Sequence, residues 1–166
     1  VRSNMITSFT QPYFVIGSST ANNPLSNNRY FVAATGNWNG AVWAYRSGGA
    51  ATATEPTSTK NVIIEAGNTA TIVDGGGQQN KSMLSLTIYG TIAMSDGANT
   101  DITVTVGTGG MTIGTAGNIT GSDAGDRITM SGNITLNNIA NLSNTVLETN
   151  FATQGHTITG TGGRLP

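Results

Sequence analysis

Few side chains in this sequence can do acid–base or metal chemistry, and their spacing decides how far they combine. The closest acidic groupings are Asp96 with Asp101, in SDGANTD, and Asp123 with Asp126, in GSDAGD. Polysaccharide cleavage needs paired carboxylates on one face, or a basic residue beside an acidic cluster that holds calcium. Asp101 and Asp126 each stand just ahead of a β-prone run, so a stacked architecture would bring them near one another. Arg127 is the cation beside them, and no Lys or Arg accompanies both. Solvated turn residues are the expected role. Asp96, Asn99 and Asp101 offer oxygens for calcium, but their spacing departs from a full calcium loop and lacks a bidentate Glu. They are the calcium candidate; no transition metal and no cofactor is expected.

The remaining motifs are similarly sparse. Gly75-Gly76-Gly77 after Asp74 suggests a phosphate loop, but neither Lys-Ser/Thr nor a helix pattern follows. His156 is the single histidine, with no nucleophile motif near it, and reads as a turn or surface residue. There is no cysteine, so disulfides and thiolate metal sites are excluded. Trp38 and Trp43, with Arg46, could form an aromatic platform for sugar rings. The expectation placed first is that the two tryptophans cover the open end of a β stack. Thr-x-Thr pairs (Thr69/Thr71, Thr103/Thr105, Thr157/Thr159) raise ice binding, but measured from the nearest closing glycine they fall out of phase.

The elements that must position these residues follow from composition. The chain has 166 residues, 27 Thr, 18 Asn and 23 Gly, with only 9% charged residues and a net charge of −1. Thr, Asn and Gly are poor helix formers, so a long helix or coiled coil is excluded. Near-zero net charge leaves no basic field for nucleic acid. At 37% hydrophobic the chain can build a core, and no apolar run is long enough for a membrane helix. An all-β chain remains. Its start at Val1 suggests a processed product or a piece of something longer.

Near residue 60 the text changes. Both tryptophans, three of the four tyrosines and all prolines but Pro166 lie before it; short β runs closed by Gly follow. Residues 1–59 are read as an irregular capping region and 60–166 as β coils. The runs NVIIEAG, LSLTIYG, ITVTVG, RITMSG and NFATQG close at Gly67, Gly90, Gly107, Gly132 and Gly155, spaced 23, 17, 25 and 23 residues. One coil of a parallel β-solenoid takes about that length. Sandwich hairpins would turn more often. Alternation points Val62, Ile64, Leu84, Leu86, Ile88, Ile102, Val104, Val106, Ile128 and Met130 inward. Four to five right-handed coils are expected over residues 60–160.

The words GNWNGAVW, EPTSTKNVIIEAGNTATI and LSLTIYGTIAM, in that order, resemble right-handed parallel β-helix modules of large secreted or cell-surface proteins of Bacteroidota-type bacteria. The resemblance covers roughly residues 35–160; residues 1–34 match no pattern. An acidic residue usual shortly after the Pro is replaced by Thr59 or Lys60. Such modules are adhesins, surface fibres or non-catalytic segments of exported enzymes. The resemblance implies a secreted or cell-surface, non-catalytic structural module. Its expected partners are further coils of a larger chain or other copies of itself, with surface glycans as a further partner. A polysaccharide-acting or carbohydrate-binding β-helix is the alternative. Neither nucleic acid nor membrane insertion is expected.

Overall fold

The computed structural model describes residues 28–31, 35–73, 80–95, 101–122, 124–137, 142–143, 145–149 and 156–160. Strands β1 (Asn28–Phe31) and β2 (Thr35–Asn37) form a first partial turn, and the short β3 (Trp43–Ala44) lies in the connection that follows. A second partial turn is β4 (Asn61–Ile64) and β5 (Thr69–Val73). Three complete turns come next. They are β6 (Lys81–Ile88) with β7 (Thr91–Ser95); β8 (Thr103–Ile113) with β9 (Asn118–Thr120); and β10 (Arg127–Met130), β11 (Ile134–Leu136) and β12 (Leu142–Ser143). Strands β13 (Val146–Thr149) and β14 (Ile158–Gly160) lie on the last of them.

The chain is an all-β parallel solenoid with three faces, and no helix occurs among the described residues. The first face stacks the start of β6, the start of β8, β10 and β13. The second stacks β1, β4, the ends of β6 and β8, β11 and β14. The third stacks β2, β5, β7, β9 and β12. Every pairing within a face is parallel, and the stacking begins at residue 28, upstream of the composition change near residue 60.

Alternation makes these strands. In β4, β5, β7 and β10 every second residue is buried, because successive side chains of a strand point to opposite faces. Val62, Ile64, Leu86, Ile88, Ile102, Val104, Val106, Ile128 and Met130 all enter the core as the sequence pattern required. Each such burial stabilises the fold by about 1.5–3 kcal/mol. The other walls come from Ala70, Ile72, Ile92, Met94 and Ile119 on the third face, and from Met111, Ile113, Ile134 and Leu136 on the second.

Leu84 is a correction: it is half-buried, and Met83 takes the inward place. Strand β6 runs through a corner here, with Met83 opposite Val106 but Ser85 opposite Gly110. Leu84 donates its N–H to the Lys60 carbonyl of the preceding turn at 2.8 Å. The inside-outside phase is reset at this bulge, so alternation counted back from Leu86 assigns Leu84 wrongly.

The closing glycines also divide differently. Gly67 and Gly90 lie between the second and third faces, whereas Gly107 and Gly132 lie between the first and second. The irregular spacing of 17 is the step from one corner to the other. From β4 onward the partners in register on adjacent turns stand between 19 residues (Arg127 and Val146) and 27 residues (Thr91 and Asn118) apart, so the turns share a register and not one fixed length. Gly155 lies outside the described residues.

Polar side chains bind turn to turn on the outside. Asn61 donates to the Asn28 Oδ1 at 3.1 Å, and the Ser85 hydroxyl donates to the Asn61 Oδ1 at 2.8 Å, a ladder across three successive turns. The Asn133 Oδ1 accepts the Thr157 N–H at 3.0 Å.

Candidate functional site

The residues that a polysaccharide-acting reading needs are Asp101, Asp126 and Arg127. The structure separates them into two environments. Asp101 and Arg127 meet on the outer side of the first face, Nη2 to Oδ2 at 3.7 Å. The other guanidinium nitrogen, Nη1, reaches Glu148 Oε1 at 3.5 Å, so one arginine bridges carboxylates from the turns before and after it. Asp101 lies over Gly125, where an added Cβ would sit 1.7 Å from Oδ1. All three side chains are between one-third and one-half exposed, where such pairs contribute about 0–1 kcal/mol.

Asp126 points the other way. It is fully buried; Oδ1 accepts the Ile102 N–H at 3.0 Å and Oδ2 accepts the Ser122 N–H at 2.7 Å. The expected role as a solvated turn residue is therefore corrected. Both oxygens are engaged by backbone donors of two neighbouring segments, as buried carboxylates require. Asp126 is thus enclosed, whereas Asp101 and Arg127 stand at the surface.

The tryptophans are likewise settled by burial. Trp38 is 1% exposed and Trp43 is fully buried; their rings meet edge-on at 4.8 Å and 67°. The Trp43 indole N–H donates to the Trp38 carbonyl at 2.8 Å, and the Trp38 backbone N–H donates to the Thr71 carbonyl at 2.7 Å. No ring face is open to a sugar, which corrects the platform formed by Trp38, Trp43 and Arg46. Arg46 remains exposed in the loop beyond. Around the tryptophans, β3 pairs antiparallel with β1 and closes the parallel ladder, and Ala53 returns to Trp43. Lys81, at the start of the first complete turn, is 8% exposed and reaches back to Glu55 at 2.7 Å and to Asn39. The segment 38–56 thus packs over the start of the first complete turn, while β1 and β2, within the region read as an irregular cap, belong to the parallel stack itself. Trp43→Ala should lower unfolding stability by about 3–5 kcal/mol; a urea titration followed by circular dichroism checks this.

Asp96 and Asn99 lie outside the described residues, as do Asp74–Gly77, so the calcium candidate is represented only by the ion-paired Asp101. Among the described residues no group of three His, Cys, Asp or Glu side chains could hold a metal ion. His156 is half-buried beside β14. On the third face, register aligns Thr69 with Thr91 and Asn118, and Thr71 with Ala93 and Thr120. Among the third-face strands β5, β7 and β9 a complete Thr-x-Thr pair occurs once, at Thr69/Thr71, while Thr103/Thr105 lies on the first face. A single Thr column, Thr87–Thr112–Thr135–Thr159, runs up the second face, which glycine counting had hidden.

One feature escaped sequence reasoning. At the corner between the second and third faces, Glu65, Tyr89, Gly114 and Asn137 follow the last residues of four stacked strands. The Tyr89, Gly114 and Asn137 N–H groups each donate to the carbonyl that ends the preceding strand, at 2.8–2.9 Å. Tyr89 is 48% exposed, and its ring occupies the room above Gly114, where a Cβ would come within 2.6 Å of Cδ1. Ser47, Ile63, Glu65, Ala66 and Tyr89 line an open cleft of about 440 Å³. The Ser47 hydroxyl donates to Glu65 Oε1 across it. The signal in sequence was the single tyrosine of the repetitive region, placed directly before a corner glycine.

No family model, curated protein or solved structure matches the chain. No helix among the described residues is long and apolar enough to cross a membrane.

Proposed function

We propose that this chain is a non-catalytic structural or adhesive module of an exported bacterial cell-surface protein or extracellular fibre, acting by stacking its turns on further turns. One observation carries the reading. On the last strands, positions that point into the core lose their cover: Ile158 stands over the buried Ile134 yet is 45% exposed, and Leu147 stands over the buried Ile128 yet is only half-buried. Among the described residues β13 and β14 are paired on one side only. Such an edge offers a row of backbone donors and acceptors beside an apolar cross-section, the template for one more parallel strand. The complementary surface is another turn of the same kind, from a longer chain or from a second copy. Low charge and the Thr-, Asn- and Gly-rich outer surface support an extracellular setting, as does the resemblance to secreted β-helix modules.

Sedimentation velocity over a range of concentrations tests the reading. The 166-residue chain should associate as concentration rises, and Ile158→Lys should return it to monomer with an unchanged circular dichroism spectrum. A strictly monomeric species at high concentration overturns the proposal.

A further inference from the structure

We infer that the corner cleft is a binding site for a neutral saccharide, with one sugar ring against Tyr89 and its hydroxyls hydrogen-bonded by Glu65 and Ser47. This goes beyond the stacking role: a module that assembles but binds no sugar would lose this inference alone. Of the large apolar side chains exposed among the described residues, Tyr89 is the aromatic one. Its ring is seated in the space left by Gly114, which restricts where it can go before any ligand arrives. A held aromatic ring presents an electron-rich face that suits the C–H face of a pyranose. Ile63 and Ala66 supply apolar lining, while Glu65 and Ser47 supply the few convergent polar groups that fix orientation in small-molecule sites. The cleft volume falls within the range of about 300–1,000 Å³ typical of such sites.

The lining also discriminates among ligand classes. It contains a carboxylate and no cation, so phosphate, sulfate and uronate groups are disfavoured. Backbone groups at this corner are engaged: Tyr89 and Gly90 both donate to the Ile64 carbonyl of the preceding turn, and Asn68 donates to the Glu65 carbonyl within its own loop. An extended peptide therefore finds no free edge to pair with here. A cationic amine could use the ring and the carboxylate, but Glu65 Oε1 already accepts the Ser47 hydroxyl, which is the pattern of a polar network made for hydroxyls.

Ligand-observed NMR against neutral hexasaccharides of glucan, mannan, xylan and N-acetylglucosamine types, with trilysine as the cationic probe, tests this. At least one hexasaccharide should bind in the millimolar range. Tyr89→Ala should weaken that binding at least tenfold. Gly114→Ala should weaken it severalfold while the chain stays folded by circular dichroism, because the new Cβ pushes the Tyr89 ring out of its seat and meets backbone only at 3.3 Å, at the Ile88 carbonyl. Glu65→Gln, which keeps the acceptor oxygen and removes the charge, should change it less than threefold. Absence of binding by every hexasaccharide, or binding unaffected by Tyr89→Ala, overturns the inference. Trilysine binding that is lost in Glu65→Gln, with no sugar bound, overturns it in favour of a cation site.

Discussion

Asp126→Ala should lower the unfolding free energy by about 3 kcal/mol, the cost of leaving buried donors without a partner. For a chain of this length that corresponds to a fall in Tm of roughly 6–12 °C. Two buried or half-buried N–H groups, those of Ile102 and Ser122, lose their acceptor at once. Ile102 belongs to the turn before Asp126 and Ser122 to the loop that leads into it, so the substitution loosens a contact between turns as well as a loop. Asp126→Asn should fall between Asp126→Ala and the unaltered chain, since its amide oxygen can serve one N–H while its own NH₂ faces the other. Ser122→Ala should cost less than Asp126→Ala, because both backbone N–H groups keep their carboxylate acceptor. Urea titrations of the three variants measure these differences. An Asp126→Ala midpoint equal to that of the unaltered chain would show that neither N–H depends on the carboxylate.

Asp126 also marks where sequence reasoning stops. The motif GSDAGD contains two aspartates in a polar, glycine-bearing loop, and nothing in one dimension shows that one of them turns inward. That depends on the Ile102 N–H of another turn, 24 residues away. Strand alternation is different. The inward set from Val62 to Met130 was legible because burial in a strand depends on neighbours two residues away, and it failed only at Leu84, where a corner interrupts the count. The apolar character of Trp38 and Trp43 was legible, but not that both rings are enclosed in the core, which leaves Arg46 no open ring to stand beside. The Tyr89 cleft was not legible, because its walls come from a loop near Ser47 and two successive turns, joined only by stacking.

The corner glycines give the other large effect, and three of them separate its causes. Gly67 has φ +80° and open space around it, so Gly67→Ala should cost only the left-handed backbone strain, about 1–2 kcal/mol. Gly90 has no such φ, but a Cβ there would lie 2.3 Å from both the Glu65 and Asn68 carbonyl oxygens. The Asn68 carbonyl accepts the Thr91 N–H at 2.9 Å, so Gly90→Ala strains a bond between turns. Gly110 combines both conditions: φ +78°, and a Cβ 2.3 Å from the Asn133 carbonyl oxygen, which accepts the Met111 N–H at 2.9 Å. Neither contact can be relieved by rotating a side chain, because the obstructing atoms are backbone of a stacked turn. Gly110→Ala should therefore be the most damaging of the three, at about 3–4 kcal/mol, near the upper end for single substitutions. Its loss should approach the sum of the other two, since they isolate its two causes in successive turns of one corner. Unfolding free energies from urea titration test the order. If Gly67→Ala proved as costly as Gly110→Ala, backbone strain alone would set the corners, and the close approach of stacked turns would contribute nothing to the choice of glycine.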